Sequence, residues 1–357
     1  MGPLKNHSTD GSITEAENRL GKNITADALE HAYVSGLTEI PDQIQADLQQ
    51  FMQQLCQHLD SPIPLVQDVK NYVLHSGGKR IRPLLALLIA RGFDYHQPQL
   101  ITLACIIEYI HSATLLHDDI LDGASLRRGL YTVNKKWGNT PAVLIGDYFY
   151  TRAFTLISSL QDTAITQYFA TANSLIVDGE LLQLMHVGNT RLSILDYFRI
   201  IWRKTAVLFA VTARVAAMLA GRPRAQQRAI AGYARCLGMA FQLMDDWLDY
   251  AGTATGKQSG QDLLEKKLTL PLIYALQHGN TDQINLIEQA LLADQPHIHF
   301  AAVKRILEAT QALDYTKKCA TYYSQRAIGF LHQARLENTE IAMHLEQTAL
   351  YVVMRRV

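Results

Sequence analysis

The chain has no surplus of either charge: 33 Lys and Arg stand against 33 Asp and Glu in 357 residues. That balance gives no electrostatic reason to expect nucleic acid or an anionic membrane surface as the main partner. There are only four cysteines, at 56, 105, 236 and 319, without metal-ligand spacing. They read as reduced core thiols and predict a cytoplasmic protein. No uninterrupted apolar run reaches the ~18 residues of a bilayer-spanning helix. Residues 84–90 are too short, and Glu108 interrupts 99–116, so no transmembrane segment is expected. The first residues lack the apolar stretch of a signal peptide, and Asp10, Glu15 and Glu17 argue against a transit peptide. Gly2 lacks the downstream Ser or Thr of a myristoylation site. Strand-like alternation, a βαβ rhythm, a nucleotide-binding glycine fingerprint and a Ser-His-Asp or Cys-His arrangement are all missing. These absences leave an all-α fold, a single large helical bundle of ten or more helices.

Length alone would suggest two domains, but the pattern predicts a polar tail over 1–35 and one all-α domain over 36–357. Pro41 opens the first helix, where Ile44, Leu48, Phe51, Met52, Leu55 and Leu59 recur at helical spacing until Asp60-Ser61-Pro62. Further helices are expected at 65–74, 84–90, 100–122, 142–160, 164–185 and 194–221, with 130–140 as polar surface. Arg222-Pro223 breaks the chain before the next helix. Residues 251–269 read as a mobile polar loop, a candidate lid. Pro271 restarts the helical pattern, which is broken again at Gly279-Asn280 and Gln295-Pro296.

Two stretches stand out. Leu115-Leu116-His117-Asp118-Asp119-Ile120-Leu121-Asp122 is an apolar helix end carrying three carboxylates. Asp118 and Asp122 are i and i+4, which puts their Cβ atoms about 5–6 Å apart on one face. Such like charges repel unless a cation lies between them, and Mg²⁺ shared with substrate phosphates fits hard oxygen ligands. Met244-Asp245-Asp246-Trp247-Leu248-Asp249 repeats the D-D-x-x-D spacing after another apolar run. Two facing copies could hold a metal cluster, and that cluster a diphosphate. Lys79-Arg80-Ile81-Arg82-Pro83 follows a double glycine and leads into a helix. It is either an anion site at the positive end of the helix dipole or a solvated basic turn. Arg127-Arg128 offers bidentate donors for phosphate. Lys204, set among apolar residues, either snorkels to the surface or points into a charged cavity.

In order and spacing, GGKRIRP (77–83), EYIHSATLLHDDILDGASLRRG (108–129), DGELLQ (178–183), KTAVLF (204–209), GMAFQLMDDWLDY (238–250) and GKQSGQDLLEKKLTLPL (256–272) resemble the trans-isoprenyl diphosphate synthases, and among them the long-chain branch. The likeness runs from about residue 40 onward. It implies an isoprenoid-synthase bundle with a central active-site cavity. It also implies a prenyltransferase that condenses isopentenyl diphosphate with an allylic diphosphate, farnesyl by expectation. In that family Asp118, Asp122 and Asp245 would hold several Mg²⁺ ions, with Asp119, Asp246 and Asp249 supporting them directly or through water. Asp249 is carried as a further metal candidate. Lys79, Arg82, His111 and Arg128 would bind isopentenyl diphosphate. Arg127, Lys204, Thr205 and Gln242 would bind the allylic diphosphate, and Lys257 and Lys267 would close over it. Without the resemblance His111 reads as a core histidine.

The small residues Ala113 and Thr114, about one turn before Asp118, would leave a slot open for a long product. Octaprenyl diphosphate is the expected product, destined for a quinone side chain. A homodimer is also implied. The chain departs from the pattern at Gly123, where an acidic residue is usual, and at Lys266, where the family has Gly. The alternatives are a shorter-chain synthase, a class I terpene cyclase, a non-catalytic partner subunit or a purely structural bundle. The intact second D-D-x-x-D motif and the basic turn favour the synthase.

Overall fold

The computed structural model describes residues 41–75, 80–127, 129–252, 260–293 and 295–355. The expected tail over 1–35 lies outside them, as do Lys79, Arg128 and Lys257. Pro41 leads into α1 (Asp42–Gln57), and a proline at the first position opens α2 (Pro64–His75). Ahead of α3 (Ile81–Gly92), Arg80 sits in the left-handed region at φ 43°. That conformation is costly for a non-glycine residue, and such strain clusters at ligand sites.

The 23-residue helix α4 (Gln99–Leu121) is apolar on nearly every face and runs through the core. Among the described residues it is the one helix long and apolar enough to cross a bilayer, but most of it is buried in protein. The sequence reading expected Glu108 to disqualify it. In the fold, Glu108 accepts a hydrogen bond from Arg80 at 2.8 Å, so its buried charge is compensated. Tyr109 packs edge-to-face on Phe149 and donates to the Leu55 carbonyl, which ties α1 to α4.

Leu126–Arg127 and Leu130–Tyr131 are the two strands of a small antiparallel hairpin, with Leu126 opposite Tyr131 and Arg127 opposite Leu130. A short helix, α5 (Val133–Trp137), follows it. Over 130–140, expected as polar surface, Lys135 and Lys136 are exposed, whereas Thr132 and Val133 are buried. Then come α6 (Asn139–Ser159) and α7 (Thr163–Met185), the latter capped by the Asp162 carboxylate accepting from the Ala164 and Ile165 N–H groups.

Where the apolar period predicts one helix over 194–221, the rod is interrupted. It runs as α8 (Ile194–Ile201), a π-helical turn over Trp202–Ala206, and α9 (Val207–Leu219). Two glycines make room for the wide turn. A Cβ on Gly179 of α7 would lie 2.6 Å from the Lys204 nitrogen, and one on Gly238 would lie 2.8 Å from the Ala206 Cα.

Gly238 belongs to α10 (Arg224–Ala251), the 28-residue helix that ends in the second acidic motif. Beyond it lie α11 (Gln261–Leu264), α12 (Leu270–His278), α13 (Thr281–Leu292), a 3₁₀ turn over Pro296–His299, α14 (Phe300–Ala309), α15 (Ala312–Ala334) and α16 (Thr339–Met354). A reciprocal capping box between Asn280 and Gln283 starts α13. Helix α10 packs along both α15 and α9, and α4 lies between α3 and α6. One contiguous apolar core joins them.

Candidate active site

Both acidic motifs converge on the π-turn. From the first, Asp118 lies 3.9 Å from the Lys204 ammonium, which is held at 2.6 Å by Glu180 and at 2.7 Å by Gln183. From the second, Gln242 accepts a hydrogen bond from the Thr205 hydroxyl at 2.8 Å and donates at 2.8 Å to Asp246. Adjacent residues of one turn thus reach both motifs, so Lys204 points into a charged cavity and does not snorkel.

A second bridge comes from residues 260–269, the part of the expected loop over 251–269 that, with 251–252, is described; 253–259 lie outside the described residues. Lys267 pairs with Asp122 at 2.8 Å and with Glu265 at 2.6 Å. Burial works against its charge, but Glu265 and Asp122 outweigh burial and raise its pKa. Arg127, on the hairpin, pairs with Asp119 at 2.7 Å. Arg355 pairs with Asp245 at 2.7 Å, donates to the Phe241 carbonyl and lies over the Phe241 ring.

The remaining side chains are placed as follows. Arg82 donates to His111 at 3.1 Å and stacks 4.6 Å from the centroid of Phe209. Because guanidinium only donates, His111 Nε2 accepts there. Burial pulls Arg82 down to about 10, against the fields of Glu108 and Asp245. The buried Nε atoms of Arg82 and Arg355 have no hydrogen-bond partner. A cleft between α2, α4 and the hairpin is lined by Tyr72, Glu108, His111, Asp119, Arg127 and Tyr131. It opens on the Ser112–Leu116–Asp119 face of α4. Ala113 is fully buried, and the Thr114 hydroxyl turns back onto the His111 carbonyl.

Burial governs the carboxylates. Asp118 is pushed up to about 6, chiefly by burial; Lys204 opposes the rise and Glu180 and Asp122 add to it. Asp246 is pushed up to about 7 by burial, against hydrogen bonds from Tyr197 and Gln242. Asp249 is raised by burial as well, although its two oxygens accept the Gln261 and Asp262 N–H groups, each at 3.0 Å. It caps the start of α11, a role the sequence reading did not give it.

Among the described residues no three His, Cys, Asp or Glu side chains lie close enough to form a ready-made metal cage. The set that is present, separate half-buried carboxylates at Asp118, Asp122 and Asp245 that each face a cation, fits a hard divalent ion such as Mg²⁺. That ion is usually bound by one or two carboxylates plus substrate phosphates, not by an all-protein cage.

Four residues here escaped the sequence reading. Glu180 and Gln183 lay in a quoted motif without an assigned role. Tyr197 and Arg355 lay in no motif and meet their partners 49 and 110 positions away. Both departures noted in the sequence also acquire a structural setting. Gly123 and Lys266 adopt φ 62° and φ 54°, so the lysine stands in a conformation that glycine takes without cost.

The polyprenyl synthetase family model matches residues 63–310. Octaprenyl diphosphate synthase of Haemophilus influenzae is 41% identical over 294 residues, covering 82% of this chain and 89% of its own. A nonaprenyl-diphosphate synthase (geranyl-diphosphate specific) of Rhodobacter capsulatus is 40% identical, covering 76% and 83%. A solved polyprenyl synthase from Caulobacter crescentus CB15, complexed with calcium and isoprenyl diphosphate, superposes with a TM-score of 0.84. It is 34% identical and covers 88% of this chain and 98% of its own. Similarity of this depth and extent makes the chain a member of the polyprenyl synthetase family and a long-chain trans-polyprenyl diphosphate synthase, a prenyltransferase.

Proposed function

We propose that the enzyme is Mg²⁺-dependent, extends farnesyl diphosphate with isopentenyl diphosphate to octaprenyl diphosphate for a quinone side chain, and works as a cytoplasmic homodimer. The observation that carries the site assignment is the pair Lys204 and Thr205, neighbours that reach the first and second acidic motifs.

In this reading Asp118, Asp122 and Asp245 hold Mg²⁺, and Asp249 caps α11. When bound, the ions neutralise charge building on the departing diphosphate. Lys204, Arg127 and Lys267, with Lys257 from outside the described residues, exchange their carboxylate partners for oxygens of the allylic diphosphate. Arg82 and His111, with Lys79 and Arg128, hold isopentenyl diphosphate. The free Nε of Arg82 supplies a donor already stripped of water. As the allylic C–O bond breaks, its electron pair leaves with diphosphate. The isopentenyl double bond then attacks the allyl cation, and the neighbouring carbon gives up a proton to the released diphosphate. No side-chain nucleophile is required. Ala113 and Thr114 leave room for the growing chain.

Homodimer formation is supported by apolar stripes on α6 and α7. Leu144 is 62% exposed, and Val177, Leu181 and Leu184 follow at i, i+4 and i+7 at 53–62%. The deciding experiment incubates the enzyme with isopentenyl and farnesyl diphosphates and Mg²⁺ and weighs the product, with geranyl diphosphate as a second starter. A C40 product is expected; a chain stopping at C20 overturns the octaprenyl assignment.

A further inference from the structure

We infer that Tyr197 is a positioning residue for the reaction: through Asp246 and Gln242 it fixes which way the Thr205 hydroxyl points. The inference rests on the reading that Thr205 and Gln242 border the allylic substrate, and it changes one part of it: with its proton given to Gln242, Thr205 faces the allylic carbon and not the diphosphate oxygens.

Tyr197 is 2% exposed and Asp246 3% exposed, and the phenol donates to Asp246 Oδ2 at 2.5 Å. The other carboxylate oxygen, Oδ1, accepts from Gln242 Nε2 at 2.8 Å. A carboxylate can only accept, so both partners must present protons. That sets the Gln242 amide with its NH₂ toward Asp246 and its carbonyl oxygen toward Thr205. The single proton of the Thr205 hydroxyl is then committed to Gln242, at 2.8 Å. What remains free on Thr205 is lone-pair density, which suits a neighbouring centre of developing positive charge. A reversed amide would offer a proton there instead.

The π-turn is part of the device. Tyr197 and Thr205 are eight residues apart on one rod. In an unbroken α-helix they would sit about 80° apart around the axis. The wider turn over Trp202–Ala206 takes up most of that angle. Both side chains therefore reach Gln242 and Asp246, themselves i and i+4 on α10. Tyr197 and Thr205 staple the rod to the second acidic motif at two points.

Two sets of variants test this. Tyr197→Phe should lower kcat about tenfold, the scale of one hydrogen bond to a charged group. KM for isopentenyl diphosphate and the melting temperature should stay near wild type. Asp246→Asn introduces a donor that turns the Gln242 amide and reverses Thr205. Adding Gln242→Glu restores an acceptor on both sides, so the double variant should recover turnover relative to D246N alone, with Tyr197 left intact should Y197F fail to fold. A Y197F enzyme with wild-type kcat would overturn the inference. So would a kcat loss matched by equal changes in both KM values and in melting temperature, or a double variant no better than D246N. Failure of the wild-type enzyme to elongate in the same assay would instead overturn the underlying reading, and this inference with it.

Discussion

At the scale of single residues, the carboxylates of the first acidic motif all face cations, whereas the second motif divides: Asp245 faces Arg355, and Asp246 and Asp249 are tied into hydrogen bonds of the fold. Asp118→Ala and Asp245→Ala are each expected to abolish turnover while circular dichroism keeps its helical signal; near-normal activity in either would remove the Mg²⁺ assignment. Burial lifts Asp118 to about 6 and Asp246 to about 7, above the unfolded carboxylate value of 3.8. Groups raised in this way favour the folded state below about pH 4, and that contribution is lost as pH rises through 6 to 7. Mg²⁺ with diphosphate should therefore raise the melting temperature more at pH 8 than at pH 5.5; an equal rise at both would contradict the buried-carboxylate account. The D-D-x-x-D spacing made these aspartates legible from the sequence. Arg355 and Tyr197 were not legible, because their contacts join residues far apart in the chain and leave no local pattern. Ala113 is completely buried, so Ala113→Phe should cost about 1–3 kcal/mol of packing strain and shorten the product. An unchanged product mass would reject its role in setting chain length.

Elements were legible wherever a 3.6-residue period had a clear stop, as at Arg222-Pro223 and Gly279-Asn280. The π-turn was not, because one inserted residue scarcely disturbs an apolar pattern over 194–221. Its cause lies on other helices, in the close approach of Gly179 and Gly238. Gly179→Ala would set a methyl 2.6 Å from the Lys204 nitrogen, too close for any rearrangement of a flexible side chain to relieve. About 1–3 kcal/mol of destabilisation is expected, with a kcat loss larger than the conservative change implies, because Lys204 is displaced from Asp118. Denaturant melts beside steady-state kinetics measure both, and an intact kcat would show that the turn tolerates the shift. Between α11 and α12, Lys266 holds φ 54° and its carbonyl accepts from the Gly188 N–H at 2.9 Å. Lys266→Gly keeps that backbone bond and relieves about 1–2 kcal/mol of left-handed strain, offset in part by the extra freedom glycine gives the unfolded chain. A small net gain in stability is expected.

For the molecule as a whole, the all-α architecture followed from missing alternation and from long apolar periods, and the fold agrees. The hairpin of Leu126–Arg127 and Leu130–Tyr131 escaped because two-residue strands carry no period to read. Quaternary structure was visible only as an implication of the family likeness. The α7 stripe of Val177, Leu181 and Leu184 is exposed and is continued by Met185 at 76% exposure, beside Leu144 and Phe154 on α6. The same two helices carry site-facing groups: Glu180 and Gln183 grip Lys204 from α7, and burial together with the field of Asp118 raises Tyr150 of α6 to about 12. A partner seated on the outer stripe would therefore brace the inner face that holds Lys204. Leu181→Glu combined with Leu144→Glu puts charge into the centre of that surface, where an unpaired buried carboxylate is costly. The double variant is expected to sediment as a 40 kDa monomer, the mass of one chain, and to lose turnover, although neither side chain belongs to the site. A dimer that persists would place the interface elsewhere, and a fully active monomer would separate catalysis from assembly.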